Sequence, residues 1–204
     1  MVAGMSRVSA RIRPAERADV DGLVALTRSI DTRSGTFSGR ALQQPDPDHL
    51  AQRLTEIIDE GERTLLVAVE DQTGIVVGLL VARREDIGAI DLTPVLHVSH
   101  LLVTPKCRRR GVGRSLLAAA VHLAEELGVD RVMATVGSSS REANRYLARL
   151  GFAPLVLHRV ASTGALRRAL GLTDEPERMA VLRRARMLRS HRSNAAARAA
   201  NQGA

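Results

Sequence analysis

Apolar residues recur with a helical period in two early segments of the chain, which predicts two amphipathic helices. The stretch Ala10–Arg13 is predicted to be a short strand, and Asp19 is placed to cap a helix that follows it. A second helix is predicted from Asp48 to Glu60, with Gly61 as its stop, and the Gly-, Ser- and Pro-rich residues 32–47 form a loop. The apolar side of the first helix would carry Val20, Leu23, Val24, Thr27 and Ile30.

In the middle of the chain, the apolar residues occur in short runs that are typical of β-strands. The apolar runs Thr64–Glu70 and Ile75–Arg83 flank Asp-Gln-Thr-Gly, which predicts a β-hairpin. After a loop from Glu85 to Pro94, the run Val95–Val103 predicts a fourth strand, and Ser115–Leu127 has helical spacing.

The later part of the chain repeats this alternation of strand and helix. Arg131–Val136 predicts a fifth strand, and Ser139-Ser-Arg-Glu has the capping-box pattern of a helix that ends at Gly151. Phe152 opens another apolar run to Val160, and residues 164–170 and 176–189 have helical spacing. We therefore predict an α/β (α+β) domain with a mixed, largely antiparallel sheet flanked by helices.

Composition limits the chain to one domain with a terminal extension. The 204 residues are 45 % hydrophobic, enough for a sizeable core. We predict a flexible N-terminus (1–9), one domain (10–163) and a basic, partly helical C-terminal extension (164–204). No apolar run approaches the roughly 18 residues that cross a bilayer, and the N-terminus lacks the order of a signal peptide. With Cys107 as the lone cysteine, we expect a cytoplasmic protein without membrane association. Cys107 lies among arginines, which could lower its pKa, although a cysteine with no role is the simpler interpretation.

The chain is basic, with a formal net charge of +8, and its late arginines outnumber the acidic residues near them. A basic tail can bind nucleic acid or acidic partners. Aromatic residues for base stacking are not interleaved there, so we do not expect nucleic acid as a specific partner. A solvated face or an oligomer contact, such as a homodimer interface, is the preferred interpretation.

The run Arg108-Arg-Arg-Gly-Val-Gly-Arg114 carries the strongest chemical signal. It connects a predicted strand to a predicted helix, and its glycines allow a tight turn. Amides at a helix N-terminus attract anions, and the arginines add to that preference. The segment predicts a binding site for the diphosphate of a cofactor.

The order of elements around this run resembles the GNAT superfamily of acyl-CoA-dependent N-acetyltransferases over about residues 10–160. Ile12–Asp19 is similar to the family's first strand and turn, Arg108–Gly113 to its pyrophosphate loop, and Ala143–Phe152 to its late helix and following strand. The resemblance implies a sheet splayed between strands 4 and 5, with acetyl-CoA or another acyl-CoA between them. It also implies that the N–H of Leu102 faces the thioester oxygen. The cofactor-binding residues that it implies are Leu101, Leu102, Val103, Arg108, Arg109, Arg110, Gly111, Val112, Gly113, Arg114, Ser115 and Ser140; the Ser140 hydroxyl could instead cap a helix.

The resemblance also directs attention to two catalytic candidates. His97 occupies the place of the family's usual glutamate base, and a mostly neutral imidazole can accept a proton at pH 7. His100 is expected on the opposite pleat and is the weaker candidate. For both histidines the alternative is a structural role, in which the ring only hydrogen-bonds to nearby backbone. The family's tyrosine acid falls at Leu147, while Tyr146 sits one residue earlier, a rotation of about 100° on a helix. Tyr146 is thus a candidate acid that could equally be a core residue.

The resemblance thus implies an N-acetyltransferase that moves an acetyl group from acetyl-CoA to a primary amine by direct attack in a ternary complex. The acceptor is a small molecule or a protein amine, and residues 28–48 and 85–94 would shape its pocket. His122 and His158 are not spaced as metal ligands, and we expect no metal. One alternative is a non-catalytic acyl-CoA-binding module whose basic tail contacts nucleic acid or a partner protein; another is a nucleic-acid-binding protein without cofactor.

Overall fold

A computed structural model describes residues 9–30, 46–137 and 140–172 of the chain. The chain divides into two compact units, Met1–Ala153 and Pro154–Ala204. In the first unit the strands are β1 (Ala10–Pro14), β2 (Thr64–Glu70), β3 (Val76–Asp86), β4 (Pro94–Val103) and β5 (Val132–Ala134). Its helices are α1 (Val20–Ser29), α2 (Pro47–Glu60), α3 (Val112–Glu126) and α4 (Arg141–Arg149). The described part of the second unit contains α5 (Thr163–Ala169).

The five strands form one sheet in the order β1-β2-β3-β4-β5. The first four are joined antiparallel, and β5 lies parallel to β4. The prediction of a mixed, largely antiparallel sheet with flanking helices is confirmed. The parallel pair requires a crossover, which α3 supplies.

Two apolar clusters cover the two faces of the sheet. On one face, α3 packs Leu116 and Ala120 against Leu80 and Leu96, and this group is called the α3 cluster below. On the other face, α1 and α2 pack Leu23 and Leu54 against β2 and β3, forming the α1/α2 cluster. Leu26 also belongs to the buried side of α1, which the predicted face omitted.

The hairpin prediction is confirmed, but its second strand is longer than expected. Glu85 and Asp86 lie within β3 because they still pair with Val95 and Pro94 of β4. The connecting loop therefore spans only residues 87–93. This correction moves Glu85 from a solvated loop into the sheet.

Asp19 precedes α1, as predicted, but its carboxylate does not cap that helix. It accepts hydrogen bonds from Arg13 Nη1 (2.6 Å) and Nη2 (2.8 Å) and from the Glu16 amide (2.8 Å). This pairing lowers the pKa of Asp19, chiefly through the Arg13 hydrogen bonds. The residue thus fastens the end of β1 to the start of α1.

The resemblance implied a strand after the late helix, in the apolar run Phe152–Val160, and this is wrong, since none of these residues is in a strand. Hydrophobicity favours burial, but a strand also needs a neighbour for its backbone hydrogen bonds. Leu155, Val156, Leu157 and Val160 are instead exposed. The residues predicted as a helix at 176–189, and most of the predicted loop at 32–47, lie outside the described residues. In the described ranges, no helix combines the length and the hydropathy needed to cross a bilayer.

Candidate active site

The two central strands separate part-way along their length. β4 pairs with β5 from Leu96 to Val98, and the Thr135 amide donates to the Val98 carbonyl at 2.9 Å. From Leu101 to Val103, β4 remains paired with β3 but has no ladder partner on its other edge in the described part of the chain. The pairing with β3 shifts by one residue at Ser99, which marks a β-bulge. The strands therefore open into a gap lined by main-chain groups of β4.

The alternation of the backbone decides which amides face this gap. The Thr104 amide donates to the Val77 carbonyl of β3 at 2.9 Å. Since alternate residues of a strand direct N–H and C=O to the same side, the Leu102 amide also points to β3. The amides of Leu101 and Val103 then face the gap, and Arg108 Nε donates to the Val103 carbonyl on that side at 3.4 Å. The prediction that Leu102 presents its N–H to a thioester is thus wrong by one residue, because the bulge shifts the alternation.

The glycine loop leads from this gap into α3. Gly111 has φ 97°, which an L residue rarely adopts, and α3 begins at Val112, three residues earlier than predicted. The amides of Arg114 and Ser115 already donate to the Gly111 carbonyl at 2.9 and 3.0 Å. An anion would therefore be held by amides earlier in the loop, and Val112 contributes only backbone because its side chain is buried. Arg109 is the only non-glycine residue in the described ranges with positive φ, at 59°.

Arginine side chains surround the loop. Arg108 and Arg114 are exposed, and Arg109 reaches Glu142 of α4 at 3.3 Å. Cys107, by contrast, is buried, and this burial raises the pKa of its thiol. The alternative of a lowered pKa for Cys107 is therefore wrong, because desolvation outweighs the neighbouring positive charges. The loop carries guanidinium groups for an anion but no activated thiol.

His97 lies at the centre of a chain of polar side chains at the mouth of the gap. Its Nε2 is 2.6 Å from Thr135 Oγ1, and its Nδ1 is 2.6 Å from Glu85 Oε1. Arg83 Nη2 contacts the other carboxylate oxygen of Glu85. The Nδ1–Oε1 contact is short but bent away from ideal hydrogen-bond geometry, so it acts mainly as an electrostatic contact. The imidazole is thus fixed between a carboxylate and a hydroxyl.

His100 shares this face of the sheet, which corrects the expected opposite pleat. His97 pairs with Arg83 and His100 pairs with Val81, and residues 81 and 83 point to the same side of β3. The bulge at Ser99 supplies the extra residue that brings both histidines to one face. Burial, and then the charges of Arg63 and His97, lower the pKa of His100.

Tyr146 packs beside the glycine loop. Its ring contacts the α3 cluster, and a Cβ added to Gly113 would lie 3.9 Å from the Tyr146 hydroxyl. Burial is the main cause that raises the pKa of Tyr146, so the hydroxyl keeps its proton at neutral pH. Leu147, at the position expected for a tyrosine acid, is a buried core residue. Ser140 occupies the N-cap position of α4, but its hydroxyl forms no capping hydrogen bond.

Sequence reasoning missed Thr135 as a site residue, and it placed Glu85 only in a loop that would shape the acceptor pocket. For Glu85, the available signal was the alternation of side chains along a strand, which puts it on the same face as Arg83. That signal was not used, because Glu85 had been assigned to a loop. Thr135 becomes a neighbour of His97 only through the parallel register, in which His97 pairs with Met133. In the described residues no group of three or more His, Cys, Asp or Glu side chains is placed to hold a metal ion.

Comparisons with known proteins identify related folds. The family model described as Acetyltransferase (GNAT) family matches residues 30–152, more than half of the 204-residue chain. A transcriptional regulator from Bacillus halodurans is 18% identical, with a TM-score of 0.61, over 76% of this chain and 99% of that chain. Glucosamine-6-phosphate N-acetyltransferase from Arabidopsis thaliana is 15% identical, with a TM-score of 0.57, over 76% and 99% of the two chains.

An aminoglycoside N-acetyltransferase in complex with CoA is 18% identical, with a TM-score of 0.59, over 78% of this chain and 99% of that chain. At these identities the likeness to solved structures shows the fold alone. No curated protein matches the sequence.

Proposed function

The chain belongs to the GNAT acetyltransferase family, and from this premise we propose that it transfers an acetyl group from acetyl-CoA to a primary amine. Family membership supports acyl transfer in general. The observation that carries the finer proposal is the gap between β4 and β5, whose β4 edge leads directly to the glycine loop. Along the chain, the Leu101 and Val103 amides thus lie between the polar cluster around His97 and the N-terminus of α3.

The residues along this path fit an acyl-CoA by their chemistry. The amides that precede Arg114 and the arginines of the loop suit a pyrophosphate, because both present positive charge to an anion. The Leu101 and Val103 amides suit the extended amide-bearing arm, which could add to β4 as a strand does. Acyl-CoA supplies the acyl group as an activated thioester. An amide at the gap, here Leu101, would stabilise the negative charge that develops on the thioester oxygen.

His97 is the proposed base for direct attack by the amine in a ternary complex. In the tautomer proposed here, Nδ1, which faces the Glu85 carboxylate, carries the imidazole proton, and Nε2 is the acceptor. Nε2 contacts the Thr135 hydroxyl, so the acceptor amine would give a proton to Thr135 Oγ1 while Thr135 passes its own to Nε2. Such proton transfer is worth about 10²–10⁴-fold in rate.

Tyr146 is the proposed proton donor to the departing sulfur. Its raised pKa keeps the hydroxyl protonated, as a general acid requires. Its place beside Gly113 supports a position near the bound donor. A thiolate is a good leaving group, so the reaction would survive loss of this residue at a lower rate.

The proposal is tested by measuring CoA release from acetyl-CoA over a panel of amines, together with calorimetry of CoA binding. The variants are His97→Ala, which removes the base, and Gly111→Ala, which opposes the positive φ at the start of α3. We expect His97→Ala to bind CoA normally and to lose at least 100-fold in kcat. We expect Gly111→Ala to weaken binding. Gly74→Ala is the control, since it also places an alanine at a positive φ (68°), but in the hairpin turn.

Two results would count against this function. CoA binding without turnover on any amine would favour the non-catalytic acyl-CoA-binding module. No binding of CoA at millimolar concentration would remove the premise that the glycine loop holds a diphosphate.

A further inference from the structure

The His97 imidazole lies between the hydroxyl of Thr135 and the carboxylate of Glu85. Thr135 Oγ1 lies 2.6 Å from His97 Nε2, and Glu85 Oε1 lies 2.6 Å from His97 Nδ1. A nucleophile within reach of a base that a third group orients is the signature of nucleophilic catalysis, whatever the order of the residues in the chain. From this geometry we propose that Thr135 is an acyl-accepting nucleophile and that the protein hydrolyses acyl-CoA when no amine is bound.

The contacts on the two ring nitrogens define the tautomer that this reaction uses. Glu85 contacts Arg83 through one carboxylate oxygen and His97 Nδ1 through the other. With the imidazole proton on Nδ1, facing this carboxylate, Nε2 accepts from the Thr135 hydroxyl. A hydroxyl whose proton is already held by a base is the activated form of this nucleophile.

The position of Thr135 gives the hydroxyl access to the gap. Its amide makes the last hydrogen bond between β4 and the segment following β5, at 2.9 Å to the Val98 carbonyl. Beyond this point the strands separate, and Thr135 is partly exposed where they do. This inference rests on the proposed function, because the gap must hold the thioester for Thr135 to reach it.

The reaction balances with water as the co-reactant. Thr135 Oγ1 bonds to the thioester carbon, its proton passes to His97 Nε2, the C–S bond breaks, and the departing sulfur takes up that proton. Water then attacks the Thr135 ester with His97 Nε2 as base. The C–O bond to Thr135 breaks, and Oγ1 regains a proton from His97. The sum is acyl-CoA plus water giving a carboxylic acid and CoA thiol.

The substitutions separate a nucleophile from a structural residue. Thr135→Val keeps the branched shape without the hydroxyl, Thr135→Ser keeps the hydroxyl, and Glu85→Gln keeps the shape without the charge. Thr55→Val is the matched control, because the Thr55 hydroxyl bonds only within α2, to the Ala51 carbonyl at 2.9 Å. Calorimetry with CoA first establishes that each variant still binds the donor. A wild type that does not bind CoA would contradict the proposed function, whereas a wild type that binds CoA without reacting when no amine is present would contradict only the role of Thr135.

Two measurements without amine then test the proposal. The first is release of CoA from acetyl-CoA, and the second is exchange of isotopically labelled CoA into acetyl-CoA, which requires a covalent acyl-enzyme even if that species never accumulates. We expect wild type, Thr135→Ser and Thr55→Val to do both, Thr135→Val to do neither, and Glu85→Gln to be at least 100-fold slower in both.

Localisation of the adduct adds an independent check. Cleavage after Arg131 and Arg141 releases the peptide that contains Thr135, and fragment ions must separate Thr135 from the three serines at 138–140. Acetylation of Thr135 in acid-quenched samples supports the proposal. Three results would overturn it. One is hydrolysis of acetyl-CoA by the wild type without exchange of label, and another is exchange of label by Thr135→Val as fast as by the wild type. The third is a wild type that binds CoA but shows neither reaction.

Discussion

The ion pair between Arg13 and Asp19 should contribute a large and pH-dependent share of the stability of the domain. Asp19 is 7% exposed and accepts three hydrogen bonds, two of them from Arg13. Breaking a buried pair by removing one partner costs about 3–5 kcal/mol, and a partly exposed partner lowers that cost. Since one third of the Arg13 side chain is exposed (32%), we expect Asp19→Ala to lose about 3 kcal/mol.

Urea denaturation at pH 7 measures this loss, and thermal unfolding should show a midpoint lowered by roughly 6–12 °C for a domain of this size. The matched control is Asp59→Ala, which removes the exposed pair of Asp59 with Arg17. An exposed pair contributes little, so this variant should unfold at nearly the wild-type urea concentration.

The pH dependence follows from the direction of the Asp19 pKa. Because Arg13 lowers that pKa in the folded protein, the stabilisation is complete above the unfolded-state value, about 3.9, and is lost as the pH falls through the lower folded value. The difference between wild type and Asp19→Ala should therefore shrink below about pH 4. A loss below 1 kcal/mol at pH 7, or a difference that persists unchanged at pH 2, would refute the reasoning.

Three further perturbations have defined outcomes. Gly78→Ala would place a Cβ 3.0 Å from Leu116 Cδ1 and 3.1 Å from Val112 Cγ1. It should lower the free energy of unfolding in urea by about 1–3 kcal/mol and weaken CoA binding by displacing α3. The control Gly88→Ala adds a Cβ in open space and should do neither. Tyr146→Phe should lower kcat for amine acetylation by at least about 10-fold with little change in stability, and an unchanged kcat would assign Tyr146 to packing alone. Cys107 should react slowly with a disulfide reagent in the native protein and rapidly in urea, because burial raises the pKa of its thiol; fast native reaction would contradict its burial.

Local patterns determined most of the elements. The second strand was predicted with the bounds that the structure gives it, Thr64–Glu70, and α2 ends at Gly61 with a left-handed φ of 66°, as the stop signal indicated. These features depend on residues close together in the chain, namely turn chemistry, capping and period. The glycine loop between a strand and a helix could be predicted for the same reason.

The catalytic arrangement, in contrast, was decided by contacts between distant residues. The bulge at Ser99 moved His100 to the face of His97 and turned the Leu102 amide towards β3, and no local pattern in the sequence marks that one-residue shift. Thr135 meets His97 through the register of two parallel strands, 38 residues apart in the chain. Phe152–Val160 has a strand-like composition but lacks a strand partner, because pairing depends on an available sheet edge as well as on side chains. The sequence thus determined which elements form, while register and bulge, which are set by packing across the whole sheet, decided which side chains share the site.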